Sequence, residues 1–218
     1  EPLLHRLQAP VRLSPLGHRD GMRTIRRNKF KLDMKKIDFI KPWKVLDTEY
    51  LIKRPWLTAR RDHLLLPDGR EIPEYYVLEY PDWVNVIAIT RDGQFVMERQ
   101  YRHALGCTCY ELPCGVMEEG ETPLNAAKRE LEEETGYGGG EWKELMVLSA
   151  NPGTMTNLTH CFLATGVEKI AEQHLDATED LEIHLLTREE VCNLLRNNKM
   201  MQSLMVAPLQ KYLSPELK

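Results

Sequence analysis

The stretch RELEEETGY, Arg129 to Tyr137, sets four glutamates within five consecutive positions. Like charges three and four apart on a helix repel by about 0.2–0.5 kcal/mol per pair. A chain that folds this run as a helix must spread the charges into water or set them around something positive. The flanks do specify a helix. Thr122-Pro123 is a good start, with a hydroxyl to cap the first turn and proline at the first helical position. Gly136 is a good stop, followed by Gly138-Gly139-Gly140. At about 100° per residue, Glu130, Glu133 and Glu134 share roughly 100° of arc, while Glu132 points away. Leu124, Ala127 and Leu131 form the adjoining apolar stripe, so the three glutamates border the buried face. Carboxylates beside a core need compensation, from ion pairs to Lys128 and Arg129 or from a hard divalent cation with oxygen ligands. From the helix alone, the ion-paired surface helix is the plainer reading.

The chain of 218 residues suffices for one sizeable core, or one domain with an appendage. Its formal net charge of −4 supplies no pull toward nucleic acid or an anionic membrane, so neither is expected as a partner. No apolar run approaches the roughly 18 residues of a membrane span, and no signal-peptide pattern is visible. Five cysteines are irregularly spaced, and Cys107-x-Cys109 is too tight for ordinary zinc spacing. Reduced cysteines in a cytoplasmic protein are the expectation.

Residues 1–40 read as an N-terminal extension, mobile and without chemistry: positions 1–33 hold eight Lys and Arg against three Asp and Glu, with no clear periodicity. Residues 41–82 read as an N-terminal antiparallel β region, with PDGR (67–70) as a turn between LLL and EYYVLEY. Residues 83–218 read as the main domain. VNVIAIT and FVMERQYR flank the turn RDGQ, and ELMVLSA, THCFLAT and LEIHLL add strands. TREEVCNLLRNN and SLMVAPLQKYL close the chain as one or two helices. The expected class is α/β (α+β), a mixed sheet between helices.

The wider frame changes the reading of the acidic helix. Gly115, five residues, Glu121, seven residues, then Arg129-Glu130-Leu131-x-Glu133-Glu134-x-Gly136-Tyr137 resembles the Nudix box. Every fixed glycine and charged position of that pattern is met, and only Tyr137 at the last bulky place is not aliphatic. Outside the box the chain is similar to the ADP-ribose pyrophosphatase branch. Pro152, in SANPGTMTN, stands where that branch carries a marker proline, and VMERQYRHALGCTCYELPCG matches its lead into the box.

The resemblance implies hydrolysis of the diphosphate bond of ADP-ribose or a related ADP-sugar, with Mg²⁺ or Mn²⁺ as two or more ions. It implies that Glu130, Glu133 and Glu134 hold the metal and carry catalysis, with the Cys114 backbone carbonyl as a further ligand. Glu179, before LEIHLL, matches the family's extra metal-binding or catalytic glutamate. Where some relatives carry another carboxylate two residues earlier this chain has Ala177, so the general base stays open among Asp176, Asp180 and metal-activated water. Arg102 is implied to contact the substrate, Glu111 to shape the site, and Arg129 and Glu121 to form an orienting ion pair. Gly115, Gly136 and Pro152 are the expected structural positions. Homodimers are typical of the branch, with an N-terminal β region helping to form the adenine pocket, for which Trp43, Trp56, Tyr75 and Tyr76 are candidates. A pyrophosphatase for another nucleotide sugar such as GDP-mannose is the near rival. A nucleotide-binding sensor without turnover is the rival of another class.

Overall fold

The computed structural model describes residues 41–176 and 179–214; the expected extension over residues 1–40 and the position Ala177 lie outside them. Three strands come first, β1 (Lys44–Arg54), β2 (Leu57–Leu65) and β3 (Glu71–Glu79), antiparallel in that order. The PDGR turn forms between β2 and β3: Gly69 N–H donates to Leu66 O at 3.0 Å, and the Asp68 carboxylate accepts from Arg70 N–H at 3.1 Å. Trp56, at the β1–β2 turn, takes φ of 65° and is 73% exposed.

The rest builds a mixed sheet. Its strands are β4 (Trp83–Thr90), β5 (Phe95–Arg102), β6 (Cys107–Glu111), β7 (Cys114–Val116), β8 (Tyr137–Gly138), β9 (Glu141–Leu148), β10 (Thr159–Lys169) and β11 (Leu181–Leu186). The main path runs β11-β5-β4-β10-β8, with β6 on β5, β7 on β4 and β9 on β10; β4 and β10 pair in parallel. Val84 to Thr90 are all buried, the continuous pattern of a strand covered on both faces. Val84, Val86, Ala88, Val96 and Phe162 face helix α1 (Pro123–Thr135). Ile87, Phe95 and Met97 face α2 (Arg188–Arg196) and α3 (Ser203–Leu213) on the other side. The sheet is thus sandwiched between helices, and the closing segment is a pair of helices. Among the described residues no helix is long and apolar enough to cross a membrane. The five cysteines are free thiols.

β4 and β5 pair with each other only beside their turn, at Ala88↔Val96 and Ile89↔Phe95. Beyond it they part: β4 takes β7 as partner, and β5 takes β6, with Glu98 opposite Glu111. The glutamate face of α1 lies over this fork.

Both ends of α1 follow its sequence signals. Thr122 Oγ accepts from Asn125 N–H at 3.3 Å, with Pro123 in the first turn. Gly136 ends the helix in the left-handed region at φ 69°, its N–H donating to Glu132 O at 2.7 Å and its carbonyl accepting from Ile170 and Ala171. A Cβ there would overlap the Ala171 carbonyl. Gly136→Ala is therefore expected to destabilise by about 2–4 kcal/mol, from the strained conformation and the overlap together. Thermal unfolding followed by circular dichroism should show Tm lower by roughly 5–15 °C; an unchanged Tm would contradict this account of the helix end.

Candidate active site

Gly115, on β7, passes directly under α1. A side chain on it would collide with the Glu130 carboxyl, so glycine here is what lets the helix carboxylate lie against the strand. Glu134, one turn on, reaches the same strand, and its Oε2 accepts from the Cys114 N–H at 2.8 Å. Glu130 and Glu134 are buried, and Glu133 is half exposed.

Arg129 organises the rest. Its guanidinium donates to both oxygens of Glu121 at 3.1 and 3.0 Å, to Glu130 at 2.9 Å, to Glu133 at 3.0 Å and to the Val116 carbonyl at 3.0 Å. The Glu121 pairing is the one the resemblance implied, the contacts with Glu130 and Glu133 are those of the ion-paired helix also weighed, and the Val116 carbonyl is an addition. Lys128, the other basic residue weighed as a partner, instead lies over the Trp142 ring at 5.8 Å.

A carboxylate that sequence reasoning overlooked stands at the centre. Glu98 is 2% exposed, on the face of β5 that also carries Val96 and Arg102, and is hydrogen-bonded to Glu134. The alternation in FVMERQYR held the signal, since it sets Glu98 on the same side as the core residue Val96. Across the ladder, Glu111 is equally buried and takes both arms of Arg102, Nε to Oε1 at 2.9 Å and Nη2 to Oε2. Glu179 lies close enough for its charge to act on Glu98 and Glu130, and its Oε2 accepts from Asp176 N–H at 2.8 Å.

Negative charge is thus concentrated where water is scarce. Burial pushes the Glu130 carboxyl up to about 7 despite the adjacent Arg129. Burial raises Glu134 and Glu98 well above the usual carboxylate range; the Glu98 charge raises Glu134 further, whereas the hydrogen bond with Glu134 lowers Glu98 and the Glu111 charge raises it. Arg102 and Arg129 are engaged by Glu111 and by Glu121, Glu130 and Glu133, which leaves Glu98 and Glu134 without a direct basic partner among the described residues. Hard oxygen donors in surplus, in a desolvated fork, suit a divalent cation of the Mg²⁺ class. No three His, Cys, Asp or Glu side chains among the described residues already stand in ligating geometry. The hydrogen bonds just listed draw Glu130 and Glu133 to Arg129, and Glu134 to β7.

The aromatic candidates divide. Trp43 and Tyr75 meet edge to face, ring centres 6.0 Å apart. The Tyr75 hydroxyl donates to the carbonyl of Gly153, next to Pro152. Leu78 N–H donates to Thr154 O at 2.7 Å and Thr156 N–H to Leu78 O at 3.1 Å, so the three-stranded sheet is laced to the 151–156 loop. Tyr76 faces the other way and its hydroxyl donates to Glu74 at 3.0 Å, within an ion-paired surface with Arg61 and Glu49. Trp56, at its turn, makes no ring contact with the Trp43–Tyr75 pair among the described residues.

The NUDIX domain model matches residues 80–206, and the nucleoside diphosphate sugar hydrolase N-terminal domain model matches residues 43–78. A methanol dehydrogenase activator of Bacillus methanolicus is 32% identical over 77% of this chain and 90% of its own. The ADP-ribose pyrophosphatase of Bacillus subtilis is 33% identical over 62% of this chain and 72% of its own, and that of Mycobacterium tuberculosis 32% over 59% and 62%. A solved structure of an ADP compounds hydrolase shares the fold at a TM-score of 0.70 and 20% identity, covering 79% of this chain and 93% of that one. The chain belongs to the Nudix hydrolase family.

Proposed function

We propose that this protein hydrolyses the diphosphate bond of ADP-ribose or a related ADP-sugar to AMP and a sugar phosphate, dependent on Mg²⁺ or Mn²⁺. One observation carries the reading: the carboxylates buried between α1 and the β4/β5 fork outnumber the guanidiniums that could neutralise them. Glu130, Glu133, Glu134 and Glu179, with the Cys114 carbonyl, would hold the cations, whose chemistry when bound would be to offset the charge of the diphosphate and lower the pKa of a water. The chain's own groups do the remainder. Arg129 fixes the rotamers of Glu130 and Glu133. The Cys114 N–H orients Glu134. Arg102, its back braced by Glu111, keeps a partly exposed face for a phosphate or ribose oxygen. The fork between the sheet and α1 limits the water around the charges, which strengthens each of these interactions.

The ADP-sugar assignment is supported by the activity named for the Bacillus subtilis and Mycobacterium tuberculosis relatives. Trp43 and Tyr75, laced to the 151–156 loop, are the favoured platform for the base, with Trp56 and Tyr76 displaced from it. A homodimer is supported by β1, which leaves Val45, Leu46, Tyr50, Leu51 and Ile52 exposed along one strand. The free cysteines fit a reducing, cytoplasmic setting.

Incubation with Mg²⁺ and a panel of ADP-ribose, ADP-glucose and GDP-mannose should yield AMP and ribose 5-phosphate fastest from ADP-ribose; preference for GDP-mannose would overturn the substrate assignment. Glu134→Gln should lower turnover by at least about 100-fold with the fold intact, and unchanged turnover would remove the proposed cage. Stability should also depend on pH. The raised carboxyl of Glu130 means that the cation-free folded state holds more protons than the unfolded one between pH 4.5 and about 7. Without metal, this contribution of Glu130 to stability is fully present below pH 4.5 and lost as pH rises through about 7. Melting in EDTA should occur at lower temperature at pH 8 than at pH 5, with Mg²⁺ restoring more at pH 8; a higher Tm at pH 8 in EDTA would refute the linkage. Light scattering should give twice the chain mass, and a monomer at every concentration would refute the dimer.

A further inference from the structure

Glu98 is the residue in this site that its surroundings least explain. It sits where β5 parts from β4, two residues after the fully buried Val96 and directly across from Ile183 of the same core. An apolar side chain would be ordinary there. A carboxylate that is 2% exposed needs a charge or hydrogen-bond partner for each oxygen. Glu134, itself acidic, lies within hydrogen-bond reach of the carboxyl, and among the described residues the buried Oε1 of Glu98 has no hydrogen-bond partner. The nearest guanidinium does not serve it, because both arms of Arg102 are taken by Glu111. The unpartnered oxygen thus stands in the same desolvated fork as Glu130 and Glu134, and it enters from the sheet where they enter from the helix.

We propose that Glu98 is an additional ligand of the divalent cation, closing the cage from the strand side opposite α1. This rests on the cation-dependent reading above. The ion then gains an anionic oxygen from a strand locked into the sheet on both edges, by β6 and β11. Such a ligand also joins helix and sheet through the ion, so metal binding adds to the stability of the whole fold.

The test is Mn²⁺ binding to the purified chain without nucleotide, read by electron paramagnetic resonance, alongside melting with EDTA and with Mn²⁺. Glu98→Gln keeps the shape and removes the charge; Glu98→Leu supplies the apolar side chain that the core would accept. Both are expected to weaken the tightest Mn²⁺ site at least about tenfold and to shrink the Mn²⁺-induced rise in Tm, while the EDTA Tm stays equal or rises. Glu134→Gln is the control. If it loses Mn²⁺ while both Glu98 variants bind within twofold of the parent, Glu98 is no ligand and this inference fails alone. If Glu134→Gln also binds Mn²⁺ like the parent, the cation cage itself fails.

Discussion

One guanidinium determines how the acidic helix can exist. Arg129 shares its donors among Glu121, Glu130, Glu133 and the Val116 carbonyl. It therefore pins the loop after β7 to the helix and holds two carboxylates that would otherwise repel each other and turn outward. The loop in turn sets β7 against β4, and β7 offers the Cys114 N–H to Glu134. Without this hub, the helix would present its charges to water and the fork between β4 and β5 would have nothing to enclose.

Much of the fold was legible because it rests on local signals. Thr122-Pro123 and Gly136 bounded α1 through capping chemistry that acts within a turn. PDGR and RDGQ marked hairpins because glycine and aspartate favour such backbone whatever lies around them. The parallel pairing of β4 with β10 was not readable, since nothing in either segment names the other. The site divides the same way. Helical phase placed Glu130 and Glu134 at the edge of the apolar stripe, and burial of both follows. Glu98 escaped because a lone acid in a strand that continues ERQYR passes for the start of its polar end. Only the divergence of β4 from β5 shows that the sheet continues around it.

The aromatic residues of the N-terminal sheet illustrate a different limit. The family resemblance singled out four rings, but pleat and turn separate them: Trp43 and Tyr75 share a face near the 151–156 loop, Tyr76 joins a charged face, and Trp56 occupies a turn. A one-residue step along a strand reverses direction, so adjacent Tyr75 and Tyr76 have unlike surroundings.

The parallel pairing of β10 with β4 has a kinetic meaning. Between those strands the chain makes β5 to β9 and the acidic helix, so this pairing closes a long loop and is slow to form. Glu179 follows β10, and the 170–171 backbone that seals the end of α1 belongs to the same segment. Closure of that long loop is what carries Glu179 toward Glu98 and Glu130, so the last carboxylate of the site depends on the most distant pairing in the sheet, whereas the others are joined by neighbouring elements.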